Sequence, residues 1–221
     1  MSSEFIRSLR LNISRKKDGT ALLPLAVMMI VFLILLSNFM YRRNLIQINY
    51  EKIDTSLTDA LLGGGVVNYS ELGRTGQVMI QEGDDPSVMD YYFNNSYKAF
   101  TECLKANLRL DDGYNATADN GIIGAVHISG YRVYNYKEAA DGFYITEIGI
   151  DNGRSYAIRH NLNEPVYVNA NDSLIEIRET SVYGQIQFRF RLATRASWLS
   201  GMPDECFEND YTLTRLISIA H

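Results

Sequence analysis

The sequence has few of the residues that catalytic and metal sites use. Only three histidines occur, His127, His160 and His221, and they lie far apart, without the spacings that bring metal ligands onto one helix face or turn. No G-x-S-x-G elbow, P-loop or dinucleotide-binding fingerprint is present. The sequence therefore predicts no enzyme, no cofactor, and no catalytic, cofactor-binding or metal-ligating residue.

The chain also has no excess of basic charge, because 26 Asp and Glu residues outnumber 21 Lys and Arg residues and give a net charge of −5 at pH 7. Binding to nucleic acid requires a dense basic surface that neutralises phosphates, and none is present in the sequence. We therefore predict no nucleic-acid partner. At 46% hydrophobic and 21% charged residues, with 15 tyrosines, the composition is typical of a folded domain rather than of a disordered chain.

One long segment has no charge at all. Thr20 to Tyr41 holds 22 uncharged residues, which as a helix would be about 33 Å long, enough for a hydrocarbon core of about 30 Å. A secretory signal would instead have a shorter apolar region and a small-residue cleavage site, whereas this one ends near Asn38 and Arg42. We interpret residues 20–41 as a transmembrane helix.

The flanks of this helix predict its orientation. Residues 1–19 hold five basic residues against Glu4 and Asp18, and the remainder of the chain is acidic. Basic residues near a first span tend to stay in the cytoplasm. We therefore expect a single-pass membrane protein with a cytoplasmic basic leader, residues 1–19, and a C-terminal domain outside the cytoplasm.

The two cysteines, Cys103 and Cys206, both fall in the part expected outside. An oxidising compartment permits a disulfide between them, which would close a loop of about 100 residues and constrain the unfolded chain by up to about 4 kcal/mol. The alternative is two free thiols.

Beyond the span, residues 42–65 have the pattern of an amphipathic stalk helix. The apolar residues recur at steps of four, three, four and four until the glycine run that begins at Gly63, where the helix is expected to stop. This predicted packing face consists of Ile46, Tyr50, Ile53, Leu57 and Leu61. It needs a partner, either the chain's own domain or a neighbouring subunit.

Residues 66–221 predict an extracytoplasmic α+β domain. Asp85 and Pro86 cap a second helix, whose apolar face runs from Met89 to Leu108. From Ile122 onward the period changes to alternation, with turn signals between the segments. Residues 182–192 alternate as in a strand with one buried and one solvent-exposed face. The face expected to be buried consists of Val182, Ile186, Phe188, Phe190 and Leu192. The face expected to be exposed to solvent consists of Tyr183, Gln185, Gln187, Arg189 and Arg191. We predict the second helix packed on an antiparallel sheet.

The N-terminal part resembles a known family. It has "RKKDG" before "TALLPLAVMMIVFLILL", followed by "YEKIDTSLTDALLGGG". In these features the chain is similar to type IV pilin-like subunits and most closely to the TadE-like pseudopilins of tight-adherence systems. The resemblance implies that a prepilin peptidase is a partner and that it cuts after Gly19, leaving Thr20 as the new N-terminus.

Two functions follow as expectations. The first is a minor pilin- or pseudopilin-like structural subunit of a type IV or tight-adherence pilus, or of a related secretion machine, whose partners are the membrane and other pilin-like subunits or machine components. The alternative is a single-pass membrane anchor that displays an extracytoplasmic binding or sensing domain. Processing at Gly19 discriminates between the two.

Overall fold

The computed structural model describes residues 3–65, 86–118, 120–151, 154–170, 173–192 and 208–219. The chain divides into two compact units, residues 1–47 and 48–221. The first helix, α1 (Ser3–Gly65), begins in the first unit and ends in the second. The second helix, α2 (Pro86–Leu108), begins at the proline that the sequence predicts as its first-turn residue.

The first unit consists of the N-terminal part of α1. Its large apolar side chains from Leu23 to Tyr41 have exposed fractions between 43% (Leu36) and 72% (Leu23). This exposure extends around the helix, as expected for a segment whose natural solvent is hydrocarbon. Among the described residues, α1 is the one helix long and apolar enough to span a membrane. An N-terminal apolar helix fit for a single span is therefore present, as the sequence predicts.

The second unit contains a five-stranded antiparallel sheet, which confirms the predicted α+β class. Its strands in chain order are β1 (Ile122–Ala139), β2 (Gly142–Asp151), β3 (Arg154–Arg159), β6 (Ser181–Arg191) and β7 (Glu208–Ser218), and their order across the sheet is β3-β2-β1-β6-β7. Between β3 and β6 the chain forms a separate hairpin of β4 (Tyr167–Ala170) and β5 (Ser173–Glu176).

The main core lies between the two helices and one face of the sheet. The helices contribute Ile53, Leu57, Leu61, Phe93, Phe100 and Leu104, and the sheet contributes Tyr131, Val133, Ile148, Val182, Ile186 and Phe188. The Tyr131 ring stacks on Phe100 with a centroid distance of 4.7 Å. The second unit therefore includes the last part of α1, from Ile48 to Gly65, in addition to the residues from 66 onward that the sequence assigns to the domain.

The described residues cover only part of the opposite face of the sheet. A second cluster of buried residues joins the sheet to the β4–β5 segment: Tyr134, Ile145, Val166, Val168, Ile177 and Tyr183. Further along β6, Gln187, Arg189 and Arg191 are exposed, as the alternation predicts. The expectation that Tyr183 lies on a wet face is wrong: its side chain is 7% exposed, because the β4–β5 segment covers this end of the strand.

α1 does not stop at Gly63, the first residue of the glycine run, but continues to Gly65, the last residue of the predicted stalk helix. The glycines serve close packing instead. A Cβ at Gly64 would lie 2.5 Å from Tyr131 Oη and 3.1 Å from Phe100 Cβ, and one at Gly65 would collide with Ile219. Because these contacts require the absence of a side chain, tertiary packing outweighs the low helix propensity of glycine.

Candidate functional site

The residues of the predicted processing site lie in helical backbone. Gly19 and Thr20 are both within α1, in the first unit, and helical backbone extends on either side of them. The bond between them precedes the exposed apolar segment by only a few residues. Cleavage at this position stays a prediction.

The predicted packing face divides between the two units. Ile46 belongs to the first unit, and the other four residues belong to the second. Ile53, Leu57 and Leu61 are at most 1% exposed. Tyr50 is half-buried, and its ring centroid lies 6.2 Å from that of Tyr211 on β7. The partner of this part of the face is thus the chain's own sheet.

A buried polar contact fixes the C-terminal end of α1. Ser96 Oγ, on α2, donates a hydrogen bond to the Gly64 carbonyl at 2.8 Å and lies 2.6 Å from Tyr131 Oη. The last four carbonyls of a helix lack intrahelical donors, so this hydroxyl satisfies a group that would otherwise be orphaned in the core. Burial, which is the largest effect, raises the pKa of Tyr131, so its hydroxyl stays neutral.

An ion pair provides a second link between α1 and the sheet. Arg215 on β7 pairs with Asp54 on α1, and their side chains are 22% and 30% exposed. The pair lies beside the buried stripe, because Asp54 is four residues after Tyr50 and three before Leu57 on the helix. The C-terminal part of α1 is therefore held by apolar burial, a hydrogen bond and a charge pair.

Cys103, on α2, is a half-buried free thiol in the structure. Its Sγ lies 3.8 Å from the Asp59 carbonyl oxygen, near the end of α1. The predicted partner, Cys206, is outside the described residues, so the disulfide stays a prediction.

Sequence reasoning missed a polar cluster on the sheet face opposite the helices. Glu147 on β2 is 13% exposed and accepts a hydrogen bond from Tyr156 Oη on β3 at 2.7 Å. Arg132 Nε lies 3.8 Å from one carboxylate oxygen, and His160 Nε2 lies 3.7 Å from the other. Burial and then the bond to Glu147 raise the pKa of Tyr156. The cluster thereby ties the edge strand β3 to β2 and β1.

A signal for this cluster was present in the sequence. Glu147 stands two residues after Ile145, so strand alternation places both on the same face of β2. A carboxylate on the same strand face as a buried isoleucine is expected to be partly buried and therefore to need a partner on neighbouring strands. The partners themselves come from distant positions and cannot be read from local pattern.

Where no described residue covers the sheet, its surface forms a shallow groove of about 630 Å³ near the irregular start of β1. Its lining includes Gly124, Gln187 and Thr212. Two charged lining residues, Arg189 and Asp210, form an ion pair at 3.0 Å and so neutralise each other. Among the residues that the structure describes, no group of three or more metal-ligating side chains occurs here or elsewhere.

Comparisons with protein-family models, with curated proteins and with solved structures found no significant match for this chain.

Proposed function

We propose that this protein is a pilin- or pseudopilin-like structural subunit of a type IV or tight-adherence pilus, or of a related secretion machine. The observation that supports the proposal is the dual character of α1. One helix exposes apolar side chains on all sides from Leu23 to Tyr41 and buries Ile53, Leu57 and Leu61 in the core of the sheet domain. A simple tether needs no residues in the domain core.

The proposed orientation places the leader in the cytoplasm and the sheet domain outside. Its support is the charge distribution, with five basic residues in the first 19 and an acidic remainder. Arg42 and Arg43, both exposed, follow the apolar segment directly. The long side chains of arginine can reach the membrane surface from the end of a span.

Processing after Gly19 would make the helix able to leave the bilayer. Retaining the leader requires its five basic side chains to cross the hydrocarbon, at a cost of about 2.5 kcal/mol or more each on insertion scales. Pro24 is accommodated within α1, and in a helix that begins at Thr20 its missing N–H would cost one hydrogen bond, to the Thr20 carbonyl at the helix end. Cleavage would therefore convert an anchored helix into one that can join a bundle of like helices.

N-terminal sequencing of the protein from its native membrane tests this proposal. We expect a start at Thr20, and we expect Gly19→Leu to abolish it. The matched control is Ser14→Leu, which adds the same side chain to the leader and leaves the cut unchanged. An intact start at Met1 or Ser2 in the unsubstituted protein would contradict processing.

The second candidate is a stationary anchor that displays a binding or sensing domain. The observation that favours it is the absence of any acidic residue between Thr20 and Glu51. In pilin-like families a glutamate commonly follows the cut by five residues, where it is thought to meet the new amine of a neighbouring subunit. Here Pro24 occupies that position. The same sequencing experiment separates the two candidates.

A further inference from the structure

A polar side chain within the apolar segment of α1 has no partner among the residues that the structure describes. Asn38 is exposed, and within the described residues nothing hydrogen-bonds to its side-chain amide. It lies inside the charge-free stretch, three residues before Tyr41. If the stretch is centred in the bilayer, Asn38 lies about 11 Å from the midplane, within the hydrocarbon half-thickness of about 15 Å.

An amide at this depth needs a partner. It has two N–H donors and a carbonyl acceptor, and hydrocarbon offers it neither acceptors nor donors. The helix surface around it includes Ile34, Ser37 and Tyr41. The small side chain of Ser37 leaves space beside the larger ones, so another helix can approach closely.

We propose that Asn38 joins two copies of this chain within the membrane. An asparagine amide is self-complementary, because the donor of one copy can meet the acceptor of the other and the reverse. A second copy presents the same amide at the same depth, which a lipid chain cannot do. The contact surface is the face of α1 that contains Ile34, Asn38 and Tyr41, which share one side of the helix at spacings of four and three.

This association is independent of the proposed processing, since Asn38 lies on the C-terminal side of the predicted cut and is present whether or not the leader is retained. A failure of the Asn38 proposal would leave the structural-subunit proposal standing. An intact N-terminus in native membranes would, in turn, leave the Asn38 contact standing.

The test uses the full chain in phosphatidylcholine vesicles. Donor- and acceptor-labelled copies, labelled at the N-terminal amine, are mixed at a series of protein-to-lipid ratios, and energy transfer gives the dimer dissociation constant. We expect Asn38→Leu to raise that constant about tenfold, which corresponds to about 1.4 kcal/mol. Asn38→Gln keeps the amide and is expected to retain most of the association.

Leu36→Ala is the matched control in the same segment. It lies two residues from Asn38, on the opposite side of the helix, and we expect it to leave the dissociation constant unchanged. Unchanged thermal unfolding of the sheet domain in all variants excludes an indirect effect of misfolding. Association of Asn38→Leu as strong as that of the parent, or no association of the parent at all, would overturn the proposal.

Disulfide mapping in the same vesicles tests which side of α1 forms the contact between copies. With Cys103 and Cys206 replaced by serine, Ile34→Cys is expected to cross-link between copies more rapidly than Leu36→Cys. Faster cross-linking at position 36 would place the contact on the wrong side of the helix and would overturn the proposal.

Discussion

The two parts of α1 use apolar residues in opposite ways. From Leu23 to Tyr41 large apolar side chains occur on every side and are exposed. From Ile48 to Gly65 the helix has one buried apolar face and one exposed polar face. Ile53, Leu57 and Leu61 are buried, and Glu51, Lys52 and Thr55 are exposed. A helix in hydrocarbon can have apolar residues on every side. A helix packed on a sheet in water buries an apolar face and exposes a polar face to solvent. The first part therefore has the pattern of a helix that could span a membrane, and the second has the pattern of a helix packed on a sheet in water.

The largest expected effect on the stability of the domain comes from removing the C-terminal part of α1, from Ile48 to Gly65. A chain that begins at Arg42 retains the buried stripe, whereas one that begins at Val66 lacks three large buried side chains, those of Ile53, Leu57 and Leu61, each worth about 1.5–3 kcal/mol. Because whole domains are stable by only about 5–15 kcal/mol, the shorter chain is expected to lose cooperative folding. Thermal unfolding followed by circular dichroism checks this. Equal, cooperative transitions for both chains would show that the stripe is dispensable.

Point substitutions sharpen the same comparison. Leu57 is fully buried, so Leu57→Ala is expected to cost about 2–5 kcal/mol in the free energy of unfolding of the domain. Leu62→Ala, at a 40% exposed position on the same helix, is expected to cost less than about 1 kcal/mol, and Leu33→Ala in the apolar segment to leave domain unfolding unchanged. Urea unfolding measures the change in the free energy of unfolding for all three variants. Similar losses at positions 57 and 62 would contradict the assignment of Leu57 to the buried face of the helix and Leu62 to the exposed face.

The glycine run at the end of α1 provides a matched pair. Gly64→Ala places a Cβ against Tyr131, Phe100 and the Ser96 carbonyl, and overpacking of this kind costs about 1–3 kcal/mol. Among the described residues, a Cβ at Gly63 meets only Cys103, at an ordinary 3.6 Å, so Gly63→Ala is expected to stabilise by up to about 1 kcal/mol through helix propensity. Calorimetric melting temperatures check the opposite signs. A gain at both positions would show that Gly64 is a simple helix residue.

Alkaline pH produces the smallest effect. Burial raises the pKa of Tyr131 above its ordinary value of 10.0, against the weaker opposing effect of the bond with Ser96. Above that pH the unfolded chain loses the tyrosine proton while the folded chain keeps it, so stability falls as pH rises, by at most about 1.4 kcal/mol per pH unit for one group. Tyr131→Phe is expected to make the fall shallower.

Phe93→Leu is the control for the pH experiment. It weakens the same aromatic cluster, where Phe93 lies 5.8 Å from Tyr131, without removing a titrating group. We expect it to lower stability at every pH and to keep the full slope. If Tyr131→Phe keeps that slope as well, the hydroxyl is not the group that resists ionisation.

Local pattern predicted the elements well, because each signal depended on nearby residues. The alternation in β6 and the spacing of Ile53, Leu57 and Leu61 identify a strand and a buried helix stripe from periodicity alone. The burial of Tyr183 was missed because it depends on Val166 and Val168, which reach it only through the fold. The continuation of α1 through Gly64 was missed for the same reason, since its cause is the distant Tyr131.

The candidate site was less predictable than the fold. Gly19 and Thr20 could be named from the resemblance, yet helical backbone around them does not reveal a processing event. The cluster around Glu147 required three strands in register, and β-strand pairing is a non-local property. The exposed apolar surface of α1 is the exception, because a long charge-free run indicates its solvent without any tertiary contact.

Cysteine accessibility along α1 in native membranes tests the central claim most directly. In a background with Cys103 and Cys206 replaced by serine, single cysteines at Ile34, Leu36, Thr55 and Leu57 are treated with a membrane-impermeant maleimide. We expect no labelling at positions 34 and 36, which lie on opposite sides of the helix, rapid labelling at exposed Thr55, and labelling at buried Leu57 only after denaturation. Labelling at position 34 or 36 as rapid as at position 55 would contradict the assignment of two solvents to one helix.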